Sequence, residues 1–142
     1  MTGETGTRVF RREQELAGPV ARFLRNRAFR LQSAEVQFFE HRMDLYGYSA
    51  REDRTIAVEL KLTKWSRAVE QALLYQLCSD LVYIAMPRTV VPRVDLDVLV
   101  GHGVGLIAVG DGRCWEVLVA APSQVVRQHY RDEYLALLMG GE

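Results

Sequence analysis

From Thr55 to Leu62 the chain reads T-I-A-V-E-L-K-L, with Ile56, Val58, Leu60 and Leu62 at alternate positions. Period two is the pleat of a β-strand and not the turn of a helix, so these four side chains line one face of a sheet while Thr55, Ala57, Glu59 and Lys61 share the other. A carboxylate and an ammonium therefore leave the same side of one strand, two residues apart. Any fold open to this chain must build a sheet around that strand and give the two charges a use or an exit to water.

The remaining periodicities supply the sheet and its covers. Leu16, Val20, Phe23, Leu24, Ala28 and Leu31 recur at three- and four-residue steps, which predicts an amphipathic helix over about 13–31, with Pro19 in its first turns able to shift or kink it. Ala34–Phe39 and Met43–Tyr48 read as strands. Ser66–Cys78 carries Ala68, Ala72, Leu73 and Leu77 at helical spacing, and L-V-Y-I-A-M over Leu81–Met86, closed by Pro87, is an apolar run of buried-strand type. A helix followed by a buried strand implies a crossover connection. Arg93–His102 predicts a short helix, G-V-G-L-I-A-V and C-W-E-V-L-V-A flank the turn residues Gly110, Asp111 and Gly112 as a terminal hairpin, and Gln124–Leu138 predicts a last helix. Together these elements describe a mixed α/β sandwich around a central sheet.

At 142 residues, 49% hydrophobic, the chain has the size of one domain, read as residues 8–142 behind a tail, Met1–Thr7, rich in Thr and Gly. Lys plus Arg and Asp plus Glu both number 18, so no global basic field draws a polyanion to the surface. Basic residues are instead grouped locally, at Arg8, Arg11, Arg12, Arg22, Arg25, Arg27 and Arg30. No apolar segment resembles a secretion signal or approaches the roughly 20 residues of a membrane span, so a cytoplasmic protein without membrane contact is expected. Cys78 and Cys114 are too few for a disulfide framework and read as core thiols. His41, His102 and His129 share no metal-ligand spacing, G-H-G-V-G (Gly101–Gly105) lacks the Lys-Ser/Thr of a phosphate loop, and Trp65 and Trp115 read as packing residues before base-stacking ones.

The turn Ser49–Arg54 joins two of the strands. If Tyr48 faces Thr55 across it, antiparallel pairing puts Asp44 opposite Glu59, with Cβ atoms about 5 Å apart. Two carboxylates that close repel unless a cation lies between them, which invites Mg²⁺ or Mn²⁺. Lys61 beside them can help activate a water and offset the negative charge that builds on a phosphate, the electrostatic needs of metal-assisted phosphodiester hydrolysis. A D…E-x-K pattern is short, and an ordinary surface hairpin would also carry it. Its surroundings here are an alternating strand, a hairpin in register and a following helix with Gln71 and Tyr75 one turn apart on one face.

R-M-D-L-Y-G-Y, A-V-E-L-K-L-T-K-W and Q-A-L-L-Y together resemble the PD-(D/E)XK nuclease superfamily in its RecB-type arrangement, a layout similar to that of archaeal Holliday junction resolvases. The resemblance implies a restriction-endonuclease-like α/β core: a central mixed sheet flanked by helices, in the order α-β-β-β-α-β with a C-terminal hairpin and helix. It implies metal binding by Asp44, Glu59 and the backbone carbonyl of Leu60, catalysis by Lys61, and shaping of the site by Gln71 and Tyr75, with Met43 where the motif names Pro. Glu13, in E-Q-E-L, matches an auxiliary metal ligand of the resolvases; its other reading is a glutamate favouring the positive end of a helix. Glu35 and Glu40 are further candidates. The activity implied is a Mg²⁺-dependent (or Mn²⁺-dependent) nuclease acting on DNA, with the arginine-rich first helix, Lys64 and Arg67 holding phosphates. A ribonuclease and an inactive nuclease-like binding or scaffolding subunit are the alternatives. A homodimer or a larger protein partner would widen the grip on DNA, through an edge strand or through Tyr130, Tyr134, Leu135 and Leu138, unless those residues close the core.

Overall fold

The computed structural model describes residues 8–140, so the tail read at Met1–Thr7 lies outside the described residues. A 3-10 turn at Glu13–Leu16 runs into α1 (Ala17–Asn26), followed by β1 (Leu31–Phe38), β2 (His41–Ser49), β3 (Arg54–Leu60) and α2 (Trp65–Tyr75). Then come β4 (Leu81–Pro87), a 3-10 turn at Val91–Arg93, α3 (Leu96–His102), β5 (Gly105–Val109), β6 (Cys114–Leu118) and α4 (Gln128–Leu138). The strands form one six-stranded sheet in sequence order. Antiparallel pairing joins β1, β2 and β3, parallel pairing joins β3 to β4 and β4 to β5, and β6 returns antiparallel. The two parallel steps need crossovers, and α2 and α3 supply them. This is a mixed α/β architecture with helices on both sheet faces.

The alternation of β3 sorts its side chains as expected. Ile56, Val58 and Leu60 join Leu16, Val20 and Leu24 in a core under α1, while Ala57 joins Tyr75, Leu99 and Tyr134 in a core under the other helices. Tyr48 pairs with Thr55 and Leu45 with Val58, the expected register. The terminal hairpin forms as read, its turn closed by Gly110 N–H on the Arg113 carbonyl at 2.8 Å. Tyr134 is buried in the core, and among the described residues no helix is long and apolar enough to cross a membrane. Cys78 is buried and Cys114 half-buried, both free thiols.

Several boundaries differ from the periodicity, four of them for plain local reasons. The first helix stops at Asn26 and not near Leu31, because Ala28 turns left-handed at φ 76° while Ala28 N–H donates to the Arg25 carbonyl and Phe29 N–H to the Leu24 carbonyl, each at 3.0 Å. Those two bonds are the Schellman pattern that terminates a helix, here with alanine where glycine is usual. Leu31 consequently opens β1, three residues before the expected strand start. Pro19 lies buried in the first turn of α1, where its missing N–H costs nothing. The third helix starts at Leu96, capped by Asp95 Oδ1 accepting from Asp97 N–H at 3.1 Å, with only a 3-10 turn before it. The last helix starts at Gln128, since Ser123 N–H and Arg127 N–H are spent on the Asp80 and Leu77 carbonyls at 2.7 and 2.8 Å.

One irregularity lies beside the charged residues. Met43 and Leu45 are two apart on β2 and should share a face, yet Met43 enters the core under α2 and Leu45 the core under α1. The alternation breaks at Asp44, and Glu35, which the β1–β2 register puts across from Asp44, has φ 56°. Left-handed backbone at a non-glycine residue costs about 1–2 kcal/mol, so packing on both sides must hold this kink.

Candidate functional site

Three elements bring the charged motif together. β3 ends at Leu60, and Glu59 leaves it on the α2 side, only 3% exposed. Lys61 follows at once, its backbone N–H donating to the Ala85 carbonyl at 3.1 Å, which ties the residue to β4 and turns its side chain back. Lys61 Nζ stands 3.5 Å from Glu59 Oε2. From α2, the buried Tyr75 hydroxyl reaches both Glu59 Oε1 and the Arg42 carbonyl at 3.1 Å. A single O–H can donate to one of these acceptors at a time, so it arbitrates between the carboxyl of β3 and the backbone of β2.

Asp44 arrives by a different contact from the one expected. The β2–β3 ladder ends at Leu45 and Val58, one pair short of Asp44 and Glu59. Asp44 Oδ2 instead accepts the Leu60 backbone N–H at 2.8 Å, taking the place that a strand carbonyl would have filled. The kink at Asp44 is what frees this residue from the ladder. Asp44 and Glu59 remain close enough to perturb one another. Burial and the neighbouring Asp44 charge push Glu59 up to about 7, with Lys61 and Tyr75 holding it back. Asp44 is also raised, by burial first and by the charge of Glu13, against the pull of the Leu60 N–H and Lys61. A buried and a half-buried carboxyl, both with raised affinity for protons, form a pair that also gains from a cation.

Gln71 and Tyr75 lie one turn apart on α2, as expected. The Gln71 side-chain oxygen Oε1 is buried and has no hydrogen-bond partner. Leaving such an acceptor unpaired costs about 1–3 kcal/mol, which marks it as an atom with a use beyond packing. Two carboxylates and the backbone carbonyl at the strand end make an all-oxygen donor set, the type that suits Mg²⁺ or Mn²⁺. The residues present fit such an ion. They do not form a finished cage, because among the described residues no three His, Cys, Asp or Glu side chains are grouped to hold a metal by themselves.

Arg11, Arg12, Glu13, Glu35, Arg42 and Asp44 line an open cleft of about 690 Å³ whose wall also includes Leu60. Glu13 lines this cleft but is exposed and lies in a 3-10 turn, not in the helix expected over 13–31. Glu15, two residues on, folds back and accepts the Arg11 N–H at 2.8 Å. Glu35 is in the cleft, while Glu40 is exposed in the β1–β2 turn and does not line it.

No family model matches the chain, and no curated protein matches it in sequence. Its fold is similar to that of a solved structure, the SPO1766 protein of unknown function from Silicibacter pomeroyi, with a TM-score of 0.71 over 92% of this chain and 86% of that one. Their sequences are 20% identical, so the likeness is one of fold.

The expected phosphate-holding arginines divide into separate groups. Arg11 and Arg12 reach the cleft, Lys64 and Arg67 are exposed at the start of α2, and Arg25, Arg27 and Arg30 gather with Arg51 around another depression. Arg27 is committed to Glu116 at 3.0 Å. A more enclosed cavity of about 270 Å³ includes Arg27, Glu116 and Tyr83, and these three bond one another, Tyr83 O–H to Glu116 included. Trp65 packs against the core, and Trp115 lies under the Arg113 guanidinium, 5.1 Å from the ring centroid. One residue escaped the sequence, Arg42, whose place in the cleft follows from sharing β2 with Asp44; Glu35 was a candidate there, but no residue preference announces its left-handed backbone.

Proposed function

We propose that this chain is a divalent-metal-dependent nuclease with a restriction-endonuclease-like core, hydrolysing phosphodiester bonds in DNA. The observation that carries the reading is the convergence of Asp44, Glu59 and Lys61 at the end of β3, with Tyr75 of the following helix bonded to Glu59. Separate stretches of sequence supply these groups, and a surface hairpin would have no reason to bury one carboxyl and half-bury another beside an ammonium. The mixed six-stranded sheet agrees with the expected core, and the spacing of E-x-K, Gln71 and Tyr75 with the RecB-type pattern.

Asp44, Glu59 and the Leu60 carbonyl would hold Mg²⁺ or Mn²⁺, with Glu13 close enough to Asp44 to add charge. When bound, the ion supplies Lewis-acid stabilisation of the phosphate oxygens and a more acidic water. Tyr75 fixes the Glu59 carboxyl in orientation. Lys61, kept at the site by Glu59, donates to the phosphate as negative charge grows on it. Glu59 must be ionised to act, which its raised proton affinity defers to neutral pH.

The test is incubation with linear, circular, single-stranded and branched DNA and with RNA, in Mg²⁺, Mn²⁺ or EDTA, beside Lys61→Ala and Asp44→Asn. Metal-dependent cutting reduced about 10²-fold or more in both variants is expected. A preference for RNA would move the reading to a ribonuclease. No cutting of any substrate would move it to a nuclease-like binding or scaffolding module, the reading favoured by the absence of a finished cage among the described residues.

A further inference from the structure

Among the cleft residues, Arg42 occupies an unusual place. It stands two residues before Asp44 on β2, and its backbone carbonyl accepts from Tyr75, so its position is tied to the carboxylate site through the main chain. Its guanidinium is in the cleft, bonded to Glu35 Oε1 at 3.1 Å, and both side chains are 61% exposed. An ion pair so open to water contributes little to folding. Arg11 and Arg12 line the same cleft from a different part of the chain, the segment that enters the 3-10 turn. A polyanion lying in the cleft would therefore meet guanidinium groups from two separate segments of the chain, in the cleft that Asp44 also lines.

Resting on the nuclease reading, we infer that Arg42 binds the backbone phosphate of the strand being cut, and that Glu35 occupies its guanidinium until nucleic acid arrives. The chemistry is an exchange of partners. A guanidinium fork suits a phosphate as well as a carboxylate, and displacing Glu35 releases an acid that is already exposed and easily rehydrated. Glu35 also screens Arg42 from weaker anions, which makes a continuous phosphate backbone, able to engage Arg11 and Arg12 together with Arg42, the preferred occupant. Arg42 is on this account a substrate-positioning residue. The kink that gives Glu35 its left-handed φ holds it beside the guanidinium it occupies.

Binding of a fluorescent DNA duplex and of single-stranded DNA, measured by anisotropy in EDTA across a salt series, tests this without turnover. Arg42→Ala is expected to weaken binding about tenfold at low salt and to flatten the dependence of log affinity on log salt by about 0.9 for duplex or 0.7 for single strands, the loss of one phosphate contact. Arg42→Lys should recover the salt slope but only part of the affinity, and Glu35→Gln should tighten binding about threefold. The fold is not at risk, since the Arg42 carbonyl that Tyr75 uses survives in each variant; circular dichroism checks it. Wild-type binding with an unchanged slope in Arg42→Ala, or weaker binding in Glu35→Gln, overturns the inference and leaves the nuclease reading standing. No binding of nucleic acid by the wild-type protein overturns both.

Discussion

Glu59 illustrates what a single buried carboxyl can report. Its folded-state affinity for protons corresponds to about 7, against 4.5 for the ordinary group, so folding favours its protonated form. The stabilisation from that form is complete below about pH 4.5 and is lost as pH rises to about 7. In EDTA, the urea midpoint is therefore expected to fall between pH 5 and pH 8, with Asp44 contributing in the same direction, and Glu59→Gln should flatten most of the change. Protons and cations compete for the same oxygens, so Mg²⁺ affinity by calorimetry should rise over that window. Tyr75→Phe removes the hydroxyl shared by Glu59 and the Arg42 carbonyl. It is expected to cost about 1–2 kcal/mol in urea unfolding and to shift the pH profile of cleavage upward, because Glu59 loses a donor that favours its ionised form. The charges of this site were legible as E-x-K on an alternating strand. The contact of Asp44 with the Leu60 N–H was not, since it depends on where a ladder stops.

The elements that aim these residues hold by local devices of uneven quality. α3 ends on Gly103 at φ 74°, the residue type that tolerates this geometry, whereas α1 ends on Ala28 at φ 76°. Replacing Ala28 with Gly relieves the left-handed strain and is expected to stabilise the protein by about 1 kcal/mol, read as a rise in melting temperature. Gly105 on β5 is the opposite case, because a Cβ there would press on the Tyr83 ring and lie 2.8 Å from the Ala120 nitrogen. Gly105→Ala should destabilise by about 1–3 kcal/mol in the same assay. These two positions also show why boundaries escaped the sequence. Alanine is the best helix former, so nothing in composition announced a helix end at Ala28; the end is set by Leu24 and Phe29 packing together into the core under α1.

Across the whole molecule, α4 is pinned to the hairpin that carries Asp44. Arg131, 9% exposed, bonds Asp80 at 2.9 Å and the Asp53 carbonyl at 2.9 Å, while Asp80 also accepts the Thr55 N–H at 2.8 Å. The β2–β3 turn, the start of β4 and the last helix thus share one ionic junction, at the far end of β3 from Glu59. Divalent metal should couple to this framework as a ligand of the folded state alone. At a hundredfold excess over its Kd, Mg²⁺ is expected to add about 2.7 kcal/mol, visible as a higher melting temperature that Asp44→Asn loses.

By itself the sequence determined the alternating strand with Glu59 and Lys61 on one face, the hairpin register of Tyr48 with Thr55, and the order of helices and strands. All of these follow from side-chain period and local turn chemistry, which act over a few residues. The tertiary structure alone decided that Asp44 leaves the ladder for the Leu60 N–H, that Glu13 meets it from solvent, and that Arg42 and Glu35 share its cleft. Those placements depend on how two cores compete for Met43 and Leu45 on either side of Asp44, a packing contest between segments distant in the chain, with no local pattern to announce it.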